Sequence, residues 1–518
     1  PAKVVIGDTT KDSNLRSSII SWADWRGGIG VNRMEGAGEV NRAWYSTCQL
    51  RHKNHLVLPG LATETTAPSH GLAEPRIGAI NSYGGEIYAA WNGSTSEDAQ
   101  IYKYSNAGTT WGSVLNSPPD QVTDSVVFTD GDGDSHLVFA HYDANNSGYT
   151  HYDGSSWSSN DSQDTKYLTV WDERLWGISH DGKLWYSTTI GTEILDAVLP
   201  LPDGSVTKLF VARNAAGIPI IYAATTEGLF AHNADNAMFE ETQMALPTHP
   251  NNGRGSVRWR DSVYIPSGNG IYKYINGNNA AVISVTGPDR DDGLPSDKRG
   301  AIMALAGTHN ELLAAIDATT APLISSSTSI PFRWPSHHGS PVIAPDSGYS
   351  SLMAYNDMGW ETKWLSGNSG KGMDAVHVSN AYDEYRVWWG HNNIVHFMNL
   401  PADIVNPSEV IQFPYALKGE HETPWFNAGQ SEIEKLALNL RIEAADLSAT
   451  ETIKVEYALN YSEVYNDAPG TITKSIMYAQ TGEGDGSFGT YIYQFASGVG
   501  VKFQSIKFKI TLNRSTAD

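Results

Sequence analysis

Residues 253 to 277, GRGSVRWRDSVYIPSGNGIYKYING, constrain the fold more than any other stretch of this chain. Val257 and Trp259 open a first apolar run, Arg260 and Asp261 make a polar turn, and Val263, Tyr264 and Ile265 form a second run. A glycine turn at Gly268 and Gly270 leads into a third run, Ile271 to Ile275, closed by Asn276 and Gly277. Three short runs joined by tight turns predict an antiparallel meander. A meander of this size cannot bury both of its faces, so it requires copies of itself to stack against.

Those copies are present. The third run recurs around Tyr102, Tyr149, Trp185, Phe230 and Tyr272, at steps of 47, 36, 45 and 42 residues. The second run recurs as Glu86 to Tyr88, His136 to Phe139, Arg174 to Trp176, Pro219 to Tyr222 and Val263 to Ile265. A period near 40 to 50 residues with three or four strands per unit is the pattern of a β-propeller. A unit beginning at Ala301 is interrupted by an insertion from about Ala318 to Tyr349, and a last unit runs from Ala375 to Phe397. The ring has seven blades if the interrupted unit is a full blade and six if it is not. The short run His55 to Leu58 is a candidate for closing it.

The expected organisation is all-β. Residues 1–76 form an N-terminal arm and linker, 77–417 the propeller, and 418–518 a β-sandwich or jelly-roll. In the last segment apolar residues alternate strictly at Leu436 to Ile442, Ile453 to Tyr457, Ile472 to Tyr478, Tyr491 to Tyr493 and Phe503 to Leu512, as in strands with one wet face. The final strand is expected to be an edge or to take its partner from elsewhere. No extended helical apolar stripe is present, so helix is a minor component.

The formal net charge of -22 argues against a nucleic-acid backbone as partner. Residues 1–60 hold eight Lys/Arg against five Asp/Glu, a balance of +3 that leaves -25 on the rest. A basic arm of this kind either docks on an acidic neighbouring subunit or is a free arm solvated in place. Cys48 is the single cysteine, so no intrachain disulfide forms. No run of about 18 apolar residues and no signal-peptide core is present, so no membrane span is expected, and a leading Pro1 fits synthesis in a cytoplasm with the initiator removed.

Asp130, Asp132 and Asp134, alternating with glycine in DGDGDSH, are the candidate metal ligands, with calcium as the ion that such a loop of carboxylates would hold. A hairpin turn that uses these residues for their backbone conformations is the competing reading. The group Asp289, Asp291 and Asp292 has weaker spacing, and the pairs His52/His55 and His337/His338 lack the further ligands of a zinc site. Asn106 to Trp111 resembles the Asp-box turn of sialidase-type propellers, a motif that stabilises a hairpin between outer strands. Arg213, Arg254, Arg258 and Tyr264 are the residues a glycosidase centre would recruit, although no spacing supports it. Trp91, Trp388 and Trp389 serve either as a sugar-stacking platform or as core. No phosphate-binding glycine loop, G-x-S-x-G elbow or H-E-x-x-H occurs, so no catalytic residues are assigned and the chain is read as a non-enzyme.

The order of parts resembles virion structural proteins of tailed bacteriophages. The resemblance is carried by Trp22, Trp25, Arg26, Gly28, Ile29 and Gly30 in the arm, by Thr423 to Phe426 and Lys435 to Leu440 at the start of the sandwich, and by Ser505 to Leu512 at its end. It implies a tail protein of the nozzle, tip or tail-associated kind. Its implied partners are other virion proteins and copies of itself, in a particle built in the host cytoplasm. The second reading is a host-glycan-binding adhesin or a sialidase-like glycan hydrolase, with a host surface glycan as partner.

Overall fold

Seven four-stranded antiparallel blades close into a ring, five of them as separate sheets and blades three and four merged into one eight-stranded sheet by a parallel pairing of their outer strands. The computed structural model describes residues 2–6, 20–22, 24–30, 42–51, 56–94, 99–142, 147–199, 205–244, 246, 248–268, 270–275, 282–285, 298–320, 348–401, 413–445, 447–462, 464–479 and 488–515. Blades one to five span 76–111, 122–160, 167–198, 206–241 and 257–285. Blade six spans 301–365 and is a complete sheet, which settles the blade count at seven. Blade seven takes three strands from 373–399 and its outermost strand, Ala62–Glu64, from the N-terminal segment. The aromatics that mark the sequence period, Tyr102 through Tyr272, all fall in third strands.

The alternation of each strand explains why the blades stack. Trp388 and Trp389 are neighbours on one strand and therefore point to opposite faces. Trp388 enters the core shared by blades seven and one with Trp91, Tyr104 and Phe397, and Trp389 enters the core between blades six and seven with Leu313 and Leu352. Tyr104 sits edge-on to Trp388 at 4.9 Å and to Trp111 at 5.4 Å, and such pairs add about 0.5–1.5 kcal/mol each to their burial. Trp91, Trp388 and Trp389 are fully buried and form no surface platform.

Ring closure departs from the expectation at His55 to Leu58. Leu56 and Leu58 are buried in a core beneath the ring, while Ala62–Glu64 pairs antiparallel with Ile394–Asn399. Two leucines on one face find more apolar burial there than an outer strand offers.

The second body is a two-sheet sandwich. One sheet has the order Ile20–Trp22, Ala2–Ile6, Asn439–Ala445, Phe488–Gln494; the other has Tyr45–Ser46, Lys418–Glu422, Ile506–Arg514, Glu451–Leu459, Asn466–Thr473. The described strands of residues 1–76 are thus wound into this chain's own sandwich and ring, which corrects the reading of a free arm. The final strand is no edge: it lies between Lys418–Glu422 and Glu451–Leu459. The expected strand from Ile472 to Tyr478 stops at Thr473 and continues as a short helix, Lys474–Ala479. A strand burying Ile472 would bury Lys474 on the same face; the helical turn exposes Lys474 and places Met477 in the core.

Candidate functional site

Trp25, Gly28 and Ile29, three of the arm residues that carry the resemblance, meet at the joint between ring and sandwich. Gly28 has φ 82 and lies so close to the Trp360 backbone that a β-carbon would not fit. Ile29 donates its backbone N–H to the Trp360 carbonyl at 2.8 Å, which ties the N-terminal segment to the outer strand of blade six. Trp25 is buried edge-on against His421 of the sandwich, at 4.7 Å between ring centroids. Burial pushes the His421 imidazolium down to about 3, so this ring is neutral, and its Nδ1 lies 3.2 Å from the Ser46 hydroxyl. At the far side Trp425 lies beneath the Lys507 ammonium, 5.3 Å from its ring centroid, and Phe426 exchanges backbone hydrogen bonds with Ile506 at 2.8 and 2.9 Å.

A buried ionic cluster fixes the same joint. Glu311 accepts from Arg51 and Lys363, each at 2.9 Å, while Lys363 also pairs with Glu361. The second Glu361 oxygen accepts the Leu50 backbone N–H at 2.8 Å. Burial alone would raise Glu311, but Lys363 and Arg51 outweigh it and keep the carboxylate ionised.

Asp130, Asp132 and Asp134 form the hairpin turn between the first two strands of blade two. Asp130 Oδ1 accepts the backbone N–H groups of Asp132 and Asp134 at 3.0 Å each, so one of its oxygens is committed to the turn. The loop lines an open rim cavity with His136, Tyr149 and His151, and His136 Nε2 stands 3.5 Å from Asp130 Oδ2. Among the described residues, the donor atoms that converge within 4.8 Å belong instead to Asp164, His180 and Asp181 of blade three, a group the sequence did not single out. There His180 bonds Asp164, and Asp181 pairs with Lys183 at 2.6 Å.

The other sequence candidates do not gather. Arg213 and Arg258 line a small cleft between blades four and five, and Tyr264 is buried in core. Asn106 lies in the turn between the third and fourth strands of blade one and accepts from Arg386 of blade seven at 2.9 Å, a contact between blades and not within its own hairpin. The residues 289, 291, 292, 52, 55, 337 and 338 lie outside the described residues.

Only Arg254 of the glycosidase candidates reaches the ring axis. Where the innermost strands begin, a cavity of about 590 Å³ opens, lined by Arg76, Thr123, Tyr167, Arg254, Lys371 and Asp374 among others. Asp374 Oδ1 stands 3.8 Å from both Arg76 Nη1 and Arg254 Nη2, an ion-pair distance too long for a hydrogen bond. Burial pushes the Tyr167 phenol up to about 12, so it is a neutral donor. Gly372 leaves the wall open: a β-carbon there would crowd Asp317 Oδ2 at 3.1 Å and Arg76 Nη1 at 3.2 Å.

No family model matches the chain. No curated protein sequence matches it either. Among solved structures it is similar to the extracellular domain of a hybrid two-component system protein from B. thetaiotaomicron, at 12% identity and TM-score 0.41. That alignment covers 67% of this chain and 40% of the other, so the chain spans about two fifths of that protein domain's length. It is also similar to the computationally designed Ika8 protein, at 12% identity and TM-score 0.36, covering 66% of this chain and all of the design.

Proposed function

We propose that this chain is a structural component of a bacteriophage virion, a tail protein of the nozzle, tip or tail-associated kind, that acts by joining other virion proteins and copies of itself. The observation that carries the assembly reading is an apolar patch on the outer rim. Ile194, Leu195 and Val198 on the last strand of blade three, with Leu195 61% exposed, lie beside Met238 on the last strand of blade four, its Cα partner being Val198. Exposed apolar side chains gathered on neighbouring outer strands suit burial against another protein. The tail assignment rests on the sequence resemblance, and its support is that Trp25, Gly28, Ile29 and Trp425 are packing residues of a stiff joint. A non-catalytic scaffold requires that kind of residue. The chain is made in the host cytoplasm and resides in the particle.

The test is cryo-electron microscopy and mass spectrometry of purified particles from an infection that expresses this chain. The expected result is a fixed copy number at one position in the tail, with Leu195→Glu and Met238→Glu together removing the chain from particles while its melting temperature is kept. Particles that lack the unaltered chain overturn the proposal.

A further inference from the structure

We infer that the axial pocket binds a carboxylated saccharide, with Arg76 and Arg254 taking its carboxylate and Asp374 accepting its hydroxyl groups. In a chain of net charge -22, three cations, Arg76, Arg254 and Lys371, converge on one cavity. The two arginine side chains are 52% and 40% exposed, so their guanidinium donors face open space, and paired planar guanidinium groups match a carboxylate. Asp374 is only 9% exposed, and its Oδ2 is buried with no hydrogen-bond partner. A buried carboxylate oxygen of this kind is costly unless something donates to it. Both arginines stand 3.8 Å from its other oxygen, too far to donate a hydrogen bond to it.

The occupant must therefore be an anion that also carries hydroxyl donors. A simple anion answers the guanidinium groups and repels Asp374; a neutral sugar answers Asp374 and leaves the arginines unmet. The rest of the lining is mixed: Thr123, Tyr167, Asn392 and Gln121 suit hydroxyl groups, Pro75, Ile77 and Val122 are apolar, and Glu74 is a second carboxylate beside the three cations. The volume of about 590 Å³ is within the range of small-molecule sites and admits a short oligosaccharide. This inference goes beyond the assembly reading and stands without it.

Isothermal titration calorimetry of the full chain tests it, using trigalacturonate, the same trimer reduced at its carboxyls to the neutral sugar, and inorganic phosphate. Trigalacturonate is expected to bind one site per chain, at least tenfold tighter than either comparison ligand. Arg76→Gln and Arg254→Gln are each expected to weaken it at least tenfold with the melting temperature kept. Phosphate binding as tightly as trigalacturonate overturns the saccharide assignment. Absence of binding by all three overturns the site and leaves the bracket as a structural ion pair. Should either variant fail to fold, the neutral trimer on the unaltered chain still decides.

Discussion

The Trp111 indole N–H donates to the Thr65 hydroxyl at 2.9 Å, joining the outermost strand of blade one to the residue that follows the closing strand of blade seven. The same hydroxyl donates to the Val395 carbonyl at 2.7 Å, and the Thr66 N–H reaches the Thr109 carbonyl at 3.0 Å. Thr65→Val keeps the shape and removes the bridge, leaving a buried indole N–H without its acceptor. The expected cost is about 1–3 kcal/mol. Urea denaturation measures it, and Thr65→Ser is expected to recover most of the loss.

Removing residues 60–66 takes away the closing strand itself. Ile394–Asn399 then becomes an unprotected edge, with His396, Phe397 and Met398 losing their partners Glu64, Thr63 and Ala62. Exposed edges recruit other chains. The expected outcome is oligomerisation or precipitation on size-exclusion chromatography, together with faster proteolysis in blade seven.

Lys363→Met tests the buried ionic cluster. It leaves Glu311 and Glu361 with Arg51 as their remaining cation in a dry joint, since Lys363 is the partner they share. Breaking a buried pair on one side costs about 3–5 kcal/mol. The readout is thermal unfolding, where sandwich and ring are expected to lose their common transition and melt separately.

Acid is expected to destabilise the fold through buried neutral histidines. Burial holds His391 at about 4 and His396 and His421 at about 3, all below the value of about 6.5 that an exposed histidine has. The unfolded chain takes up protons first, so their contribution is complete above about pH 6.5 and is lost as pH falls toward 4, by about 1.4 kcal/mol per pH unit for each. Glu311 acts in a lower window: its carboxylate is held ionised in the fold, and its contribution is lost below about pH 4.3. Denaturation at stepped pH checks this, and His396→Phe, stacked on Trp389 as the imidazole is, should reduce the slope by one group.

The repeat was legible because each blade writes its own local pattern: Tyr272 and Tyr102 announce third strands from residues within a few positions of themselves. The N-terminal segment was not legible for the opposite reason. Ala2–Ile6 pairs with Asn439–Ala445, and nothing within 60 residues of Val4 hints at Ile442 as its partner. The axial pocket was hidden in the same way, since Arg76 and Asp374 are distant in sequence and meet only because the ring brings strand beginnings to a common mouth. Charged or hydroxylated residues at the start of three innermost strands, Arg76, Tyr167 and Asp374, were the available signal. At the Asp130 loop the alternation of Asp and Gly serves a turn as well as it would serve an ion, so spacing alone left both readings open.

The pairing of Lys3 with Glu443 also sets a schedule for synthesis. At about 5–20 residues per second, roughly 20 to 90 s separate the appearance of the first strand from that of its partner. Ala62–Glu64 waits nearly as long for Ile394–Asn399. Blades one to six have all their strands as they emerge, whereas blade seven and the sandwich are completed only when early segments are captured by late ones. The nascent chain therefore carries three early strand segments, Ala2–Ile6, Tyr45–Ser46 and Ala62–Glu64, through most of translation before their late partners emerge.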